Sequence, residues 1–167
     1  MKVKKKESLT WHAKYKLEKY QGDLPTEESR KGIVPYDVIE GEGNLLLDEG
    51  VNELFTVLCS AGGTKYDNTN ARIGVGNSNA AAVKTQTALQ GGSTIFKGMD
   101  STYPTIGASQ KAVFRATFAS GDGNFAWEEW TIDNGNSANK NLNRKVVALG
   151  TKVSGTTWVF TTELSLS

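Results

Sequence analysis

The amino-acid sequence predicts a mainly β protein, a jelly-roll-like β-sandwich with one helix and an extended N-terminal arm. Several short segments alternate apolar and polar residues, which is the period of a strand with one buried face. The 18 glycines against only 3 prolines indicate many tight turns. A single segment repeats apolar residues at helical spacing. Many short strands with glycine-rich turns and one helix are typical of sandwiches and jelly rolls.

The composition limits the function classes. A length of 167 residues suits one domain with a sizeable core. The net charge of +1 gives no global field that attracts nucleic acid or a membrane surface. No apolar run reaches the roughly 20 residues of a membrane span. The basic start MKVKKKESLTWHAKYK lacks the apolar segment of a secretory signal, so we expect synthesis in a cytoplasm.

Residues 1–43 are expected to form an arm that lies on a protein partner. The stretch TWHAKYKLEKY alternates like a strand, but the segment looks too sparse to form its own core. Pro25 and Pro35 confine such a segment to sheet edges or arms. The expected contact residues are the apolar anchors and the lysines that would attract an acidic surface: Trp11, Lys14, Tyr15, Lys16, Leu17 and Tyr20. The alternative left open is that this strand completes the protein's own sheet.

Residues 44–167 are expected to form the sandwich, with the helix near 48–60. In NLLLDEGVNELFTVLCSAGG the residues at helical spacing are Leu47, Val51, Leu54, Phe55 and Leu58. Asp48 and Glu49 suit the positive N-terminal end of a helix. We expect the apolar face to pack on the core, and Cys59 to be buried as a small hydrophobic residue.

The remaining chain reads as strands. In KAVFRATF, Phe114, Ala116 and Phe118 share one face. In the last strand the shared face is Trp158, Phe160, Thr162, Leu164 and Leu166. The stretch RKVVALGTKVSGTTWVFTTELSLS, which includes this last strand, is expected to form a hairpin.

The stretch ARIGVGNSNAAAVKTQTAL most resembles a phosphate loop, but the match fails. A Walker loop needs Lys and then Ser or Thr after the last glycine, and Gly76 is followed by Asn77 and Ser78. A dinucleotide loop needs a third glycine, where this chain has Asn79. We therefore expect Gly74 and Gly76 to let a strand pass close to a neighbour.

No other sequence pattern indicates a catalytic site or a metal site. His12 is the single histidine, and it lies among lysines, so neither a Ser-His-Asp triad nor a histidine metal site is expected. Glu128 or Glu129 with Asp122 or Asp133 could in principle form a glycosidase pair. We expect these carboxylates to be structural, and no cofactor or metal to be bound. The lysines near the start are diluted by acidic residues, which argues against nucleic acid.

Four segments carry a resemblance. GNLLLDEGVNELFTVL, ARIGVGNSNAAAVKTQTALQG, FRATFASGDGNFAWEEWTIDNG and LNRKVVALGTKVSGTTWVFTTELSLS are similar to segments of a family of small virion proteins of tailed bacteriophages. The resemblance runs from about Trp11 to the end of the chain. It rests on the order of these segments rather than on a catalytic motif.

The resemblance implies an interface rather than an enzyme's pocket. The expected function is a capsid decoration or cement protein on the virion surface that binds the major capsid protein lattice and stabilises the head. Self-association, as a trimer or a dimer, would accompany it. The alternative is a tail-fibre or receptor-binding module that stacks host glycans on Trp127, Trp130, Tyr66 or Tyr103.

Overall fold

Two five-stranded antiparallel sheets pack face to face in a computed structural model, which describes residues 9–59, 61–107, 110–135 and 137–167. The elements are β1 (Trp11–Gln21), α1 (Glu27–Arg30), β2 (Asp37–Glu42), β3 (Leu45–Leu46), α2 (Asp48–Leu58), β4 (Arg72–Gly76), β5 (Thr94–Gly98), β6 (Thr105–Gly107), β7 (Lys111–Phe118), β8 (Ala126–Asp133), β9 (Asn143–Thr151) and β10 (Thr156–Leu166). The first sheet has the order β2-β1-β10-β7-β6, and the second β3-β9-β8-β4-β5. The predicted mainly β sandwich is confirmed.

The core lies between the two sheets, where the alternating strands turn their apolar faces inward. On β7 and β10, Phe114, Phe118, Trp158 and Phe160 are all buried, as the alternation predicted. Burying one such ring contributes about 1.5–3 kcal/mol relative to leaving it exposed. These aromatic side chains therefore account for much of the stability of the sandwich.

The pairing of β8 with β9 is irregular where Trp127 and Trp130 enter the core. Trp127 pairs with Gly150 and Glu129 pairs with Val146, so the extra residues at this register shift lie on β9. The Trp127 ring lies 4.7 Å from that of Phe118, and the Trp130 ring 5.8 Å from that of Tyr15, measured between centroids. Both tryptophans are fully buried and join the two sheets.

The expected arm is wrong for β1 and β2, because both strands belong to the first sheet. β1 pairs along its whole length with β10, from Trp11 opposite Leu166 to Gln21 opposite Thr156. Its other side pairs with β2. Alternation in the sequence identified a strand with one apolar face, but it could not show which sheet covers that face. Residues 1–8 of the expected arm lie outside the described residues.

The helix α2 forms where the sequence predicted it, but its apolar face points away from the core. Leu54, Phe55 and Leu58 are 40%, 60% and 75% exposed. Cys59, which caps the helix, is also exposed, so the expectation that it is buried is wrong.

The opposite side of α2 faces the protein and is held by polar contacts. The Glu49 carboxylate accepts a hydrogen bond from the backbone N–H of Asn141 at 2.7 Å. One turn later, the Glu53 carboxylate accepts from the backbone N–H of Thr64 at 2.7 Å. Gly50 lies between them, and a Cβ there would be 2.5 Å from the backbone of Leu142. The helix therefore docks through carboxylates and a glycine.

The last two strands do not form the expected hairpin. β9 pairs with β8 in the second sheet, whereas β10 lies between β1 and β7 in the first. Their connection therefore crosses from one sheet to the other. At the crossing, buried Lys152 donates from its Nζ to the carbonyl of Ala119 at 2.7 Å.

Candidate interaction site

The residues expected to anchor a partner are mostly part of the core. Tyr15, Leu17 and Tyr20 are buried, with exposed fractions of 7%, 0% and 8%. Trp11 is half-buried, and its Nε1–H donates to Asn44 Oδ1 at 2.7 Å. Their assignment as surface anchors is therefore wrong for the folded chain. The second sheet covers Tyr15 and Leu17, whereas Tyr20 lies on the outer face of β1 and is buried beneath Arg30, whose guanidinium is 6.0 Å from its ring centroid.

The two lysines of the expected contact lie on the outer face of β1, next to acidic side chains. Lys14 is directly opposite Glu42, and Lys16 is opposite Glu40 on β2. Lys16 Nζ lies 3.0 Å from Glu18 Oε1. The hydrogen bond to Glu18 raises the pKa of Lys16. This face carries both signs of charge, so it does not offer the basic surface that the sequence suggested.

The strand β2 is the open edge of the first sheet. In the described chain it pairs with β1 on one side and with no strand on the other. The Gly43 N–H donates to the carbonyl of Ala13. In an antiparallel ladder, alternate residues of a strand bond to the same neighbour, so the amides of Val38 and Glu40 point away from β1. The strand β2 itself carries Asp37, Glu40 and Glu42 and no basic residue, and Asp37 is paired with Lys19 at 2.8 Å.

Leu54 of α2 lines one wall of a groove of about 410 Å³. The opposite wall comes from β6, the other open edge of the first sheet, and from the ends of β1 and β10. The main lining residues are Trp11, Leu54, Tyr66, Ile106, Leu164 and Leu166. Ile106 is 90% exposed and Leu166 is 40% exposed. The groove therefore offers apolar surface that the described chain does not cover.

A mixed-charge hollow of about 680 Å³ lies on the outer face of the first sheet, beneath α1. Arg115 at its wall is held by Asp100 at 2.9 Å and Glu27 at 3.2 Å. Arg30 is buried against the sheet and donates to the carbonyl of Leu24 at 2.6 Å. Burial lowers the pKa of Arg30. These arginines act as braces between α1 and the sheet.

The buried carboxylate Glu129 has a structural partner rather than a catalytic one. Its Oε2 accepts from Arg144 Nε at 2.6 Å, and both side chains are fully buried. Its Oε1 accepts from the backbone N–H of Gly91 at 2.7 Å. Asp133 is held by Arg72 and Asp122 by Lys97, so each of these carboxylates lies against a cation.

The glycines of ARIGVG serve close packing, as the sequence predicted. A Cβ on Gly76 would lie 2.5 Å from Glu129 Oε1, and one on Gly74 would lie 2.4 Å from the ring of Phe96. Larger residues at these positions would displace β4 from its neighbours. This stretch is a strand followed by a loop pinned to Glu129 and Arg144.

The aromatic residues proposed for glycan stacking are not free platforms. Trp127 and Trp130 are fully buried, so that part of the alternative is wrong. Tyr66 donates its hydroxyl to the Lys140 carbonyl at 3.0 Å, and burial raises its pKa. Tyr103 lies under the guanidinium of Arg115, 5.1 Å from the ring centroid.

The polar residues weighed for chemistry lie apart from one another. His12 is exposed and shares a hydrogen bond with Ser167 Oγ at 2.8 Å. Within the described ranges, no group of three or more His, Cys, Asp or Glu side chains is placed to hold a metal ion. Asp67 uses its carboxylate for its own turn, accepting from the amide of Asn70.

Neither the edge β2 nor the groove beside α2 was predicted from the sequence. The apolar residues of α2 were recognised, but they were assigned to the core. The exposed Ile106 in the short strand β6 gave no periodic signal, since three residues are too few to show one. The acid-rich stretch DVIEGE after Pro35 was the available signal for the edge β2.

Comparisons with protein-family models, with curated proteins and with solved structures find no match to this chain. Neither helix in the described part of the chain has the length and apolar character needed to cross a bilayer.

Proposed function

We propose that this protein is a structural component of a tailed-bacteriophage virion, a decoration or cement protein on the capsid surface. It binds the lattice of the major capsid protein and stabilises the head. The order of the four segments that resemble small phage virion proteins supports this proposal. A compact β-sandwich with accessible sheet edges is also well suited to repeated contacts on a shell.

The observation that carries the proposal is the open acidic edge β2. An edge strand presents a row of backbone donors and acceptors to which an extended segment of another protein can pair. Glu40 and Glu42 favour a segment of basic character, whereas Asp37 is already paired with Lys19. This replaces the expectation of a basic arm on an acidic shell, since β1 is enclosed and its lysines face glutamates.

On a repeating capsid lattice, a weak contact at the edge β2 is sufficient for stable binding. Each main-chain hydrogen bond contributes only about 0.5–1.5 kcal/mol net. A bound copy that also contacts a neighbouring copy or a second shell subunit binds more tightly, because the first contact raises the effective concentration for the second. Stable decoration therefore does not require a deep pocket, which fits the shallow surfaces of this protein.

The substitution Glu40→Pro tests the edge. Proline removes the outward amide of Glu40 and leaves the bonds from β2 to β1 in place, as edge positions allow. We expect the variant to keep its thermal unfolding midpoint but to lose co-sedimentation with undecorated capsids of the phage that encodes it.

The control Glu40→Gln keeps the amide and removes the charge. We expect it to retain binding, with a weaker dependence on salt concentration. If Glu40→Pro sedimented with capsids as the wild-type protein does, the edge β2 would not be the capsid contact.

A further inference from the structure

The C-terminal half of α2 presents an apolar surface that the described chain leaves open. Leu58 lies one turn after Leu54 on the same helical face, and Phe55 adjoins both. Their exposed fractions rise along the helix from 40% at Leu54 to 75% at Leu58. Because α2 docks on the rest of the chain through Glu49 and Glu53, its docking does not involve this apolar surface.

The surface continues across the groove onto β6. Ile106 pairs with Ala112 of β7, on the same face as the core residue Phe114. Ile106 lines the groove together with Leu54 and Leu166, whereas Phe55 and Leu58 extend the apolar surface along α2 outside the groove. We call these five residues the α2–β6 face.

The size of the α2–β6 face matches an interface between two copies. Its five residues are between 40% and 90% exposed, equivalent to roughly 550 Å² of residue surface, which is near the upper end of the range for the largest apolar patch on a typical monomer. Two such faces in contact would bury about 1,000 Å² in total, the lower bound for a specific interface. Their apolar character fits the core of a homodimer interface, which is richer in apolar surface than a transient one.

The charge distribution also favours a second copy. An interface about a two-fold axis brings the same surface patch of both copies together, so a patch with charges of one sign repels itself. The strand β6 consists of Thr105, Ile106 and Gly107 and has no charge. The nearest charged residue on β7, Lys111, is paired with Glu163 at 2.9 Å. The acidic edge β2, in contrast, would repel its own copy.

We propose that two copies of this chain associate through their α2–β6 faces about a two-fold axis. The apolar side chains of α2 and β6 from one copy cover those of the other. This inference goes beyond the proposed capsid role and does not depend on it, because it concerns a different surface and a purified protein.

Sedimentation equilibrium of the full chain, wild type and Leu58→Glu, tests the proposal. We expect the wild-type protein to be a dimer and Leu58→Glu to dissociate at least about tenfold more readily, because each copy would bury an unpaired charge. Leu58 is 75% exposed, so far-UV circular dichroism should stay unchanged. A matched control is Val34→Glu, which puts the same charge on an exposed apolar residue outside the face.

Three results would overturn the proposal. These are a wild-type monomer at the highest soluble concentration, an oligomer larger than a dimer, and a dimer that Leu58→Glu leaves intact. Ile106→Asp supplies a second variant on the opposite wall of the groove. A dimer that Ile106→Asp leaves intact would also overturn the proposal.

Discussion

Glu129 and Arg144 show how single side chains fix the part of this fold that most resembled a ligand site. Glu129 accepts hydrogen bonds from Arg144 and from the backbone amides of Gln90 and Gly91. Arg144 also donates to the carbonyl of Ala80 at 3.0 Å. The pair therefore ties both ends of the loop after β4 to the second sheet. A carboxylate with this many partners holds a loop in place rather than binding a substrate.

Glu129→Gln should destabilise the protein strongly. The amide keeps the volume of the side chain but leaves the fully buried Arg144 guanidinium without a counter-charge, which costs about 3–5 kcal/mol. Urea denaturation measures this loss in the free energy of unfolding. The control Glu18→Gln removes an ion pair to the half-exposed Lys16, and it should cost less than about 1 kcal/mol. Equal losses in the two variants would contradict the structural role of Glu129.

At the scale of the element, α2 is placed by its contacts rather than by its apolar periodicity. Gly50 is buried against the chain just before β9. A side chain at position 50 would collide with the backbone of Leu142. Glycine costs about 1 kcal/mol relative to alanine inside a helix. The close approach of α2 to the second sheet offsets that cost.

Gly50→Ala should therefore lower the free energy of unfolding, although alanine is the better helix former. The new Cβ would be 2.5 Å from the backbone of Leu142, and overpacking of this kind costs about 1–3 kcal/mol. Asn52→Ala, at an exposed position of the same helix, should be neutral or stabilising by a few tenths of a kcal/mol. A more stable Gly50→Ala variant in guanidinium denaturation would show that α2 does not lie so close to Leu142.

The elements show which features of the fold could be predicted from sequence and which could not. The faces of β7 and β10 were predicted because alternation is a local property of the strand. The place of β1 between β2 and β10 was not, since its partners come from distant parts of the chain. Periodicity showed that Leu54 and Leu58 share a face of α2. It could not show that Glu49 and Glu53 would find amide donors elsewhere and turn that face outward.

Within the described residues, the first sheet has two open edges with different chemistry. The edge β2 is acidic and suits a basic strand from another protein, whereas β6 is uncharged and adjoins the apolar surface of α2. The two edges lie at opposite ends of the same sheet, so both can be occupied at once. The two proposals therefore place the shell protein at one edge and a second copy of this chain at the other.

The copy number of the protein in purified virions tests the proposed function most directly. Quantitative mass spectrometry of particles produced from the encoding genome gives the ratio of this chain to the major capsid protein. A decoration protein on the lattice predicts a copy number of the same order as that of the shell protein. A small fraction of that number would instead indicate a tail or fibre component, and complete absence from the particle would contradict a virion role.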